Sequence, residues 1–382
     1  MTGNKGEWSE FYVFLRLLAD GKIYGTDADL KKIDDICFKI FKIMREEYKG
    51  NKYEYNINDG KIDIYLNNKK LKYVEIDQFK KQADYLFEKI LEGKGAFEII
   101  KTELFMKEIF CQKIKAPSSD KSDIIMQLFD IYNGHRPICG FSIKSELGGD
   151  STLLNASSAT NFIFQVEGLD KSDVNKINAI NTKSKIQDRC LEIIRKKGTF
   201  KFFGVKNQIF NTNLLLIDTR MPEILSCLLI QKFVNGKKNI SDIVETLEAS
   251  NPVNFPGTQF YKYKIKKFLI ACALGLKPAT QWSGIDEASG GYIIVTKSGE
   301  VLSFFIYNRN YFEDYLFNST YLETSSASKH SFGQLYEKDG NLFFELNLQI
   351  RFLCHNKLDT KNTDADLNYS VASNDTEYFK LP

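Results

Sequence analysis

Asp123, Ser142 and Lys144 are the residues of this chain whose types and spacing could do chemistry. Ser142 and Lys144 fall in GFSIKSELGGDSTLLNASSATNF, residues 140 to 162. Residues two apart on a strand share a face, so Phe141 and Ile143 point one way and Ser142 and Lys144 the other. A lysine held on a sheet has to meet an anion. Asp123 supplies one if KSDIIMQLFD and RPICGFSIKS are adjacent antiparallel strands that turn at Asn133-Gly134. A carboxylate, a second oxygen ligand and a cation are what phosphodiester hydrolysis requires: the oxygens hold Mg²⁺, and the cation offsets charge that builds at phosphorus. Because a neutral hydroxyl binds Mg²⁺ more weakly than an anion does, Ser142 calls for a further acid.

The elements that would position these groups can be read from period and punctuation. NKGEWSEFYVFLRLLADG predicts a helix: Asn4 and Glu7 fit a capping box, Trp8, Phe11, Tyr12, Leu15 and Leu18 make an apolar stripe, and Gly21 can end it. Glu7 and Glu10 lie on its polar flank. KYEYNINDGKIDIYLNNKKLKYVEID predicts a three-stranded meander with turns at Asn58-Asp59-Gly60 and Asn67-Asn68, followed by helices near 78–93 and 96–110. NFIFQVEG is a further strand and KIQDRCLEIIRKKG a helix closed by Gly198, after which TFKFFGV and NLLLID read as a strand pair. A helix headed by Pro222, helices near 241–250 and 259–274, and two hairpins turning at Lys297-Ser298-Gly299 and Lys338-Asp339-Gly340 complete the pattern. The fold class expected is α/β, a central mixed β-sheet flanked by helices. Residues 1–175 form its core, 176–352 a helical and β-hairpin part packed on it, and 353–382 a flexible tail without period or apolar content.

Composition excludes more than it selects. The net charge of +3 is the small difference between 52 Lys+Arg and 49 Asp+Glu, so bulk charge argues for no anionic partner. Seven scattered cysteines show no zinc-knuckle or CxxC spacing and read as reduced thiols of a cytoplasmic protein. The opening MTGNKGEWSE lacks the apolar run of a secretory signal, and Phe268–Leu276 is too short to span a bilayer about 30 Å thick. Three separated histidines, His135, His330 and His355, do not make a ββα-metal centre. No GxxxxGK(S/T) loop or GxSxG elbow is present, which argues against ATP-driven translocation and a Ser-His-Asp hydrolase.

The Asp123, Ser142 and Lys144 set resembles the PD-(D/E)XK nuclease signature, with Ser142 in place of the acid before the lysine. Nucleases of that class often complete the site with a Glu from a helix beside the sheet. That makes Glu10 the first candidate for the missing carboxylate, with Glu146 and Glu167 behind it. GNKGEWSEFYVFLRLLADGKIY, GFSIKSELGGDSTLLNASSATNF, NLLLIDTRMPEIL, WSGIDEASGGYIIV and NLQIRF, in that order across residues 3 to 352, resemble the HpaII-type restriction endonucleases. The resemblance implies a restriction-endonuclease-like (PD-(D/E)XK) core and a type II enzyme. Such an enzyme would use Mg²⁺ held by Asp123, Glu10 and Ser142, cut double-stranded DNA within CCGG and leave 5′-phosphates. A cognate cytosine methyltransferase would be its functional partner; monomer and homodimer both fit.

On this reading the hydroxyl-rich loop faces DNA: Thr152, Asn155, Ser157, Ser158, Thr160 and Asn161 are short enough to donate to phosphates or reach base edges. Arg220, Lys264 and Lys267 are candidates for guanine. YKYKIKKFLIACALG, with Lys262 and Lys266 on one face, and RKKGTFKFFGVKNQ, with Arg195, Lys196, Lys197 and Lys201, could line a groove. Two alternatives stand beside this one. A sequence-specific DNA-binding protein that has lost catalysis would explain Ser142, and a structure-specific repair nuclease would share the same metal chemistry.

Overall fold

The computed structural model describes residues 1–115, 122–130, 134–305, 308–353 and 379–380. The chain forms two compact units, one of residues 1–151 and 286–315, the other of 152–285 and 316–382.

In the first unit a two-residue bridge of Gly3–Asn4 with Ala96–Phe97 leads into helix α1, Lys5–Asp20. Its start is the expected capping box: Asn4 Oδ1 accepts from the Glu7 N–H at 3.0 Å, and Glu7 Oε2 accepts from the Asn4 N–H at 2.9 Å. Gly21, in the left-handed region at φ 63°, ends it by donating its N–H to the Leu17 carbonyl. The apolar stripe is wider than the sequence suggests, since Val13, Phe14 and Leu17 are as buried as Trp8, Phe11 and Leu15. The helix is therefore enclosed, packed between the sheet and helix α2, Ile76–Glu92, with α3, Ile100–Glu108, beyond.

The strands of this unit's sheet, numbered in chain order, are β1 (Lys22–Thr26), β2 (Lys32–Tyr48), β3 (Asn51–Asn58), β4 (Lys61–Leu66), β5 (Lys69–Glu75), β6 (Ile124–Phe129), β7 (Ile138–Ser145), β8 (Gly291–Val295) and β9 (Val301–Phe304). Their order across the sheet is β1-β9-β8-β7-β6-β2-β3-β4-β5, and β1 also pairs with β2. Six strands thus close on themselves and the expected meander, β3 to β5, extends from the ring. The sheet is mixed: β6–β7 and β8–β9 are antiparallel, β7–β8 and β9–β1 parallel. β2 carries the closure because it is long enough to pair with β1, β3 and β6, shifting register between Ile40 and Lys42 as it bends. All five residues of β8 are buried, as a strand with neighbours on both sides requires. At its start Gly291 holds φ 122°, and a Cβ there would lie 1.9 Å from the Phe304 carbonyl oxygen.

The second unit has a sheet ordered Leu335–Lys338, Asn341–Asn347, Asn161–Glu167, Thr199–Val205 and Phe379–Lys380, and a smaller one of Thr152–Leu154, Ile350–Phe352 and Thr320–Leu322. Phe162, Phe164, Phe200 and Phe344 fill the face of the first. The helices expected in the C-terminal half are found at Met221–Phe233, Ile240–Ser250 and Phe260–Leu274. One element differs: NLLLID is not a strand but the end of helix Gln208–Ile217. A short apolar run fits either state. The cap decides, since Asn207 Oδ1 accepts from the Phe210 N–H at 2.9 Å, and the buried Asn213 amide then reaches the Lys277 and Thr280 carbonyls. Apart from Leu353 and Phe379–Lys380, the expected tail lies outside the described residues. The six described cysteines are free thiols, and no described helix is long and apolar enough to cross a membrane.

Candidate active site

β6 and β7 pair with Ile124 opposite Phe141, which puts Asp123 one residue before β6 and across from Ser142. The Asp123 N–H donates to the Phe141 carbonyl at 2.8 Å. Its carboxylate then turns along β7: Oδ2 accepts from the Ile143 N–H at 2.8 Å and from Ser142 Oγ at 3.1 Å. Ser142 is buried, with 3% of its surface exposed, so its hydroxyl proton is committed to Asp123 while its lone pairs are not.

Helix α1 brings the second carboxylate. Ser9 Oγ lies 2.8 Å from Ser145 Oγ, at the end of β7, and 2.7 Å from the Lys5 carbonyl, which pins the first turns of the helix against the strand. Glu10, the next residue, accepts on Oε1 from Lys115 Nζ at 3.1 Å, and the same ammonium is 3.9 Å from Asp123 Oδ1. Burial, then repulsion from Asp123, raises the Glu10 pKa to about 7, although Lys115 and Lys144 pull it down. Burial also lowers the Lys144 pKa, against Asp123 and Glu10, which raise it. Lys115 moves the other way: burial opposes its charge, but Glu10 and Asp123 outweigh that and hold its pKa above the usual value. Two carboxylates and two ammonium groups thus share one enclosed site.

The cluster suits a divalent cation. Among the described residues, Glu10 Oε2 is buried without a hydrogen-bond partner, and Asp123 Oδ1 meets the Lys115 ammonium at 3.9 Å. Two carboxylates that repel each other, one of them with a buried oxygen that lacks a partner, are what a cation prefers. Among the described residues no group of three or more His, Cys, Asp or Glu side chains gathers, so further ligands would be the Ser142 hydroxyl, main-chain carbonyls and water.

Asp123, Ser142, Lys144 and Glu10, separated in sequence, are therefore brought together, and Lys115 joins them. Nothing in KIKAP distinguishes that lysine from its neighbours in the sequence. Glu146 follows β7, half-buried, with its N–H on the Val295 carbonyl. Glu167 belongs to the second unit and sits 4.0 Å from Lys201.

The hydroxyl-rich segment divides. Asn155 and Ser158 are exposed and Thr152 and Ser157 half-buried, whereas Thr160 and Asn161 have no exposed surface. Their polar atoms are used inside: Asn347 Nδ2 donates to Thr160 Oγ1 at 3.0 Å and to Asn161 Oδ1, and Asn161 Nδ2 donates to Glu345 Oε2 at 3.0 Å. Placed there because a strand begins at Asn161, both residues hold the loop from below. Among the candidate cations, Arg220 bonds Glu223, Lys264 pairs with Asp218, and Lys267 lies 5.0 Å over the Tyr263 ring. Lys262 and Lys266 do share a face, over Phe317 at 5.6 and 5.9 Å. Of the other basic run, Arg195 pairs with Glu192 and Lys196 with Asp173.

Comparison with known proteins places the chain in a family. The model of the HpaII restriction endonuclease family matches residues 4–352. The chain is 39% identical over 359 residues to the type II restriction enzyme HpaII of Haemophilus parainfluenzae, which covers 92% of this chain and 99% of that one. No solved structure matches.

Proposed function

The chain belongs to the HpaII restriction endonuclease family and is a type II site-specific deoxyribonuclease, and from that premise we propose that it cuts double-stranded DNA within CCGG, with Mg²⁺, leaving 5′-phosphate ends. The observation that carries the chemistry is the pairing of Asp123 with Glu10, one oxygen of which lacks a partner, beside Lys144. In this reading β6 and β7 form the heart of a PD-(D/E)XK core in which Ser142 stands where the signature has an acid and Glu10 supplies the missing charge. Asp123, Glu10 and an oxygen of Ser142 hold Mg²⁺. When bound, the ion supplies Lewis-acid stabilisation of charge at the phosphate and favours ionisation of water.

The remaining work falls to the chain's own groups. Lys144 orients the attacking water and offsets charge on the phosphate, and its lowered pKa makes it a readier proton donor than an ordinary lysine. Asp123 is held by the Ile143 N–H and the Ser142 hydroxyl before any substrate arrives, so little reorganisation is needed. On the second unit, Thr152, Asn155, Ser157 and Ser158 bind phosphates, positioned by the buried Thr160 and Asn161. Arg220, Lys264 and Lys267 reach for guanine edges by exchanging their present acidic or aromatic neighbours for DNA. A host would need a cytosine methyltransferase for the same site, both acting in the cytoplasm.

One experiment joins these claims. A sequenced plasmid digested with Mg²⁺ is expected to give discrete fragments ending in CCGG sites, and none with EDTA. Lys144→Ala should cut at least about a hundredfold more slowly while still binding a CCGG duplex. Full activity of that variant rejects its role; cutting at forks or mismatches alone rejects the restriction reading.

A further inference from the structure

Lys115 is a cation already in place where a metal would go. Asp123 Oδ2 is taken by the Ile143 N–H and Ser142 Oγ, which leaves Asp123 Oδ1 and the two Glu10 oxygens as the carboxylate atoms open to a ligand. Lys115 Nζ stands on two of those three, 3.1 Å from Glu10 Oε1 and 3.9 Å from Asp123 Oδ1.

Its placement is built rather than incidental. The chain before it, residues 109–113, has no helix or strand of its own. A buried ion pair grips it instead: Arg45 Nε bonds Glu47 Oε1 at 2.8 Å, Arg45 Nη2 donates to the Lys113 carbonyl at 2.8 Å, and Glu47 Oε2 accepts from the Gln112 N–H at 2.9 Å. Tyr55 adds a hydrogen bond to the Ile109 carbonyl at 2.9 Å. Both partners of a fully buried salt bridge are thus spent on the main chain two to three residues from Lys115, and their desolvation is repaid only by such fixed geometry. The lysine side chain itself remains half exposed, so its tip can leave.

We propose that Lys115 is the resident counter-ion of the Glu10–Asp123 pair, a positioning residue that neutralises the two carboxylates in the metal-free enzyme and is displaced when the divalent cation binds. The inference rests on the metal reading above and adds what occupies the site before the metal does. Competition of this kind weakens metal binding and keeps the enzyme from loading a cation tightly until DNA phosphate adds its own oxygens. Removing the charge should therefore tighten binding of the metal alone. If Lys115 only shaped the site, its removal would loosen Glu10 and weaken binding.

Titration of the DNA-free protein with Mn²⁺, followed by calorimetry or by the loss of the free-ion magnetic resonance signal, separates the two. Lys115→Met is expected to bind Mn²⁺ roughly tenfold more tightly than the native chain, on removal of a unit charge about 4 Å away in a screened site. Lys115→Arg, which keeps the charge, should remain within about twofold of native. Equal or weaker binding by Lys115→Met, in a protein with a native circular dichroism spectrum, overturns the inference while leaving the metal reading intact. Absence of any Mn²⁺ binding that depends on Asp123 in all three proteins overturns the metal reading and this one with it.

Discussion

Glu10 shows how much of the site's behaviour belongs to single side chains. Its pKa is raised from 4.5 to about 7, by burial first and by Asp123 second. A carboxyl group raised in this way stabilises the folded chain below pH 4.5, and that contribution is lost as pH climbs through about 7. In EDTA, Glu10→Gln should therefore match the native chain in stability near pH 4.5 and exceed it by about 1–3 kcal/mol at pH 8, as urea unfolding would report. A variant destabilised at both pH values would contradict the assignment of buried, repelled charge to this residue. The same charge pattern sets the two lysines apart. Lys144 is dry enough that burial lowers its pKa, while Lys115, between both acids, is held in its charged form.

At the scale of elements, the site depends on α1 entering at one angle and β6 meeting β7 in one register. The cap at Asn4 and the Ser9–Ser145 contact set the first; the Asp123 N–H on Phe141 sets the second. Asn4→Ala removes half of the capping box and should cost about 1 kcal/mol of stability, measured as a shift of the urea midpoint with unchanged slope. No shift would mean that burial of α1 alone fixes its start. These elements were legible in the sequence because caps, turns and alternation act over a few residues: the meander turns occur at Gly60 with φ 73° and at Asn67 and Asn68 with φ 48° and 69°. Helix Gln208–Ile217 reads as a strand in the sequence because four of its six apolar residues, Leu214 to Ile217, run together without a period, and the Asn207 cap is the signal that marks a helix.

For the whole molecule, the decisive feature is that the strands after residue 286 return to the first unit. β8 pairs in parallel with β7, Tyr292 opposite Ser142 and Ile294 opposite Lys144, so the strand bearing the lysine owes its second neighbour to a segment nearly 150 residues later. A fragment of residues 1–175 lacks β8 and β9, opens the ring and leaves β7 as a bare edge beside an uncovered Phe141. It is expected to aggregate or show no cooperative unfolding by gel filtration and circular dichroism; a soluble, monomeric, cooperatively melting fragment would refute this account of the core. Short-range spacing along the chain was enough to fix the capped first helix, the meander, the antiparallel β6–β7 pair and the place of Ser142 and Lys144 on it with Asp123 just before β6, since each follows from residues within a few tens of one another. Only the tertiary structure decided that Glu10 meets Lys115, that Thr160 and Asn161 are buried under their loop, and that a late hairpin completes the early sheet. Those outcomes depend on which surfaces exclude water together, and contacts between residues a hundred or more positions apart leave no period or spacing in the chain.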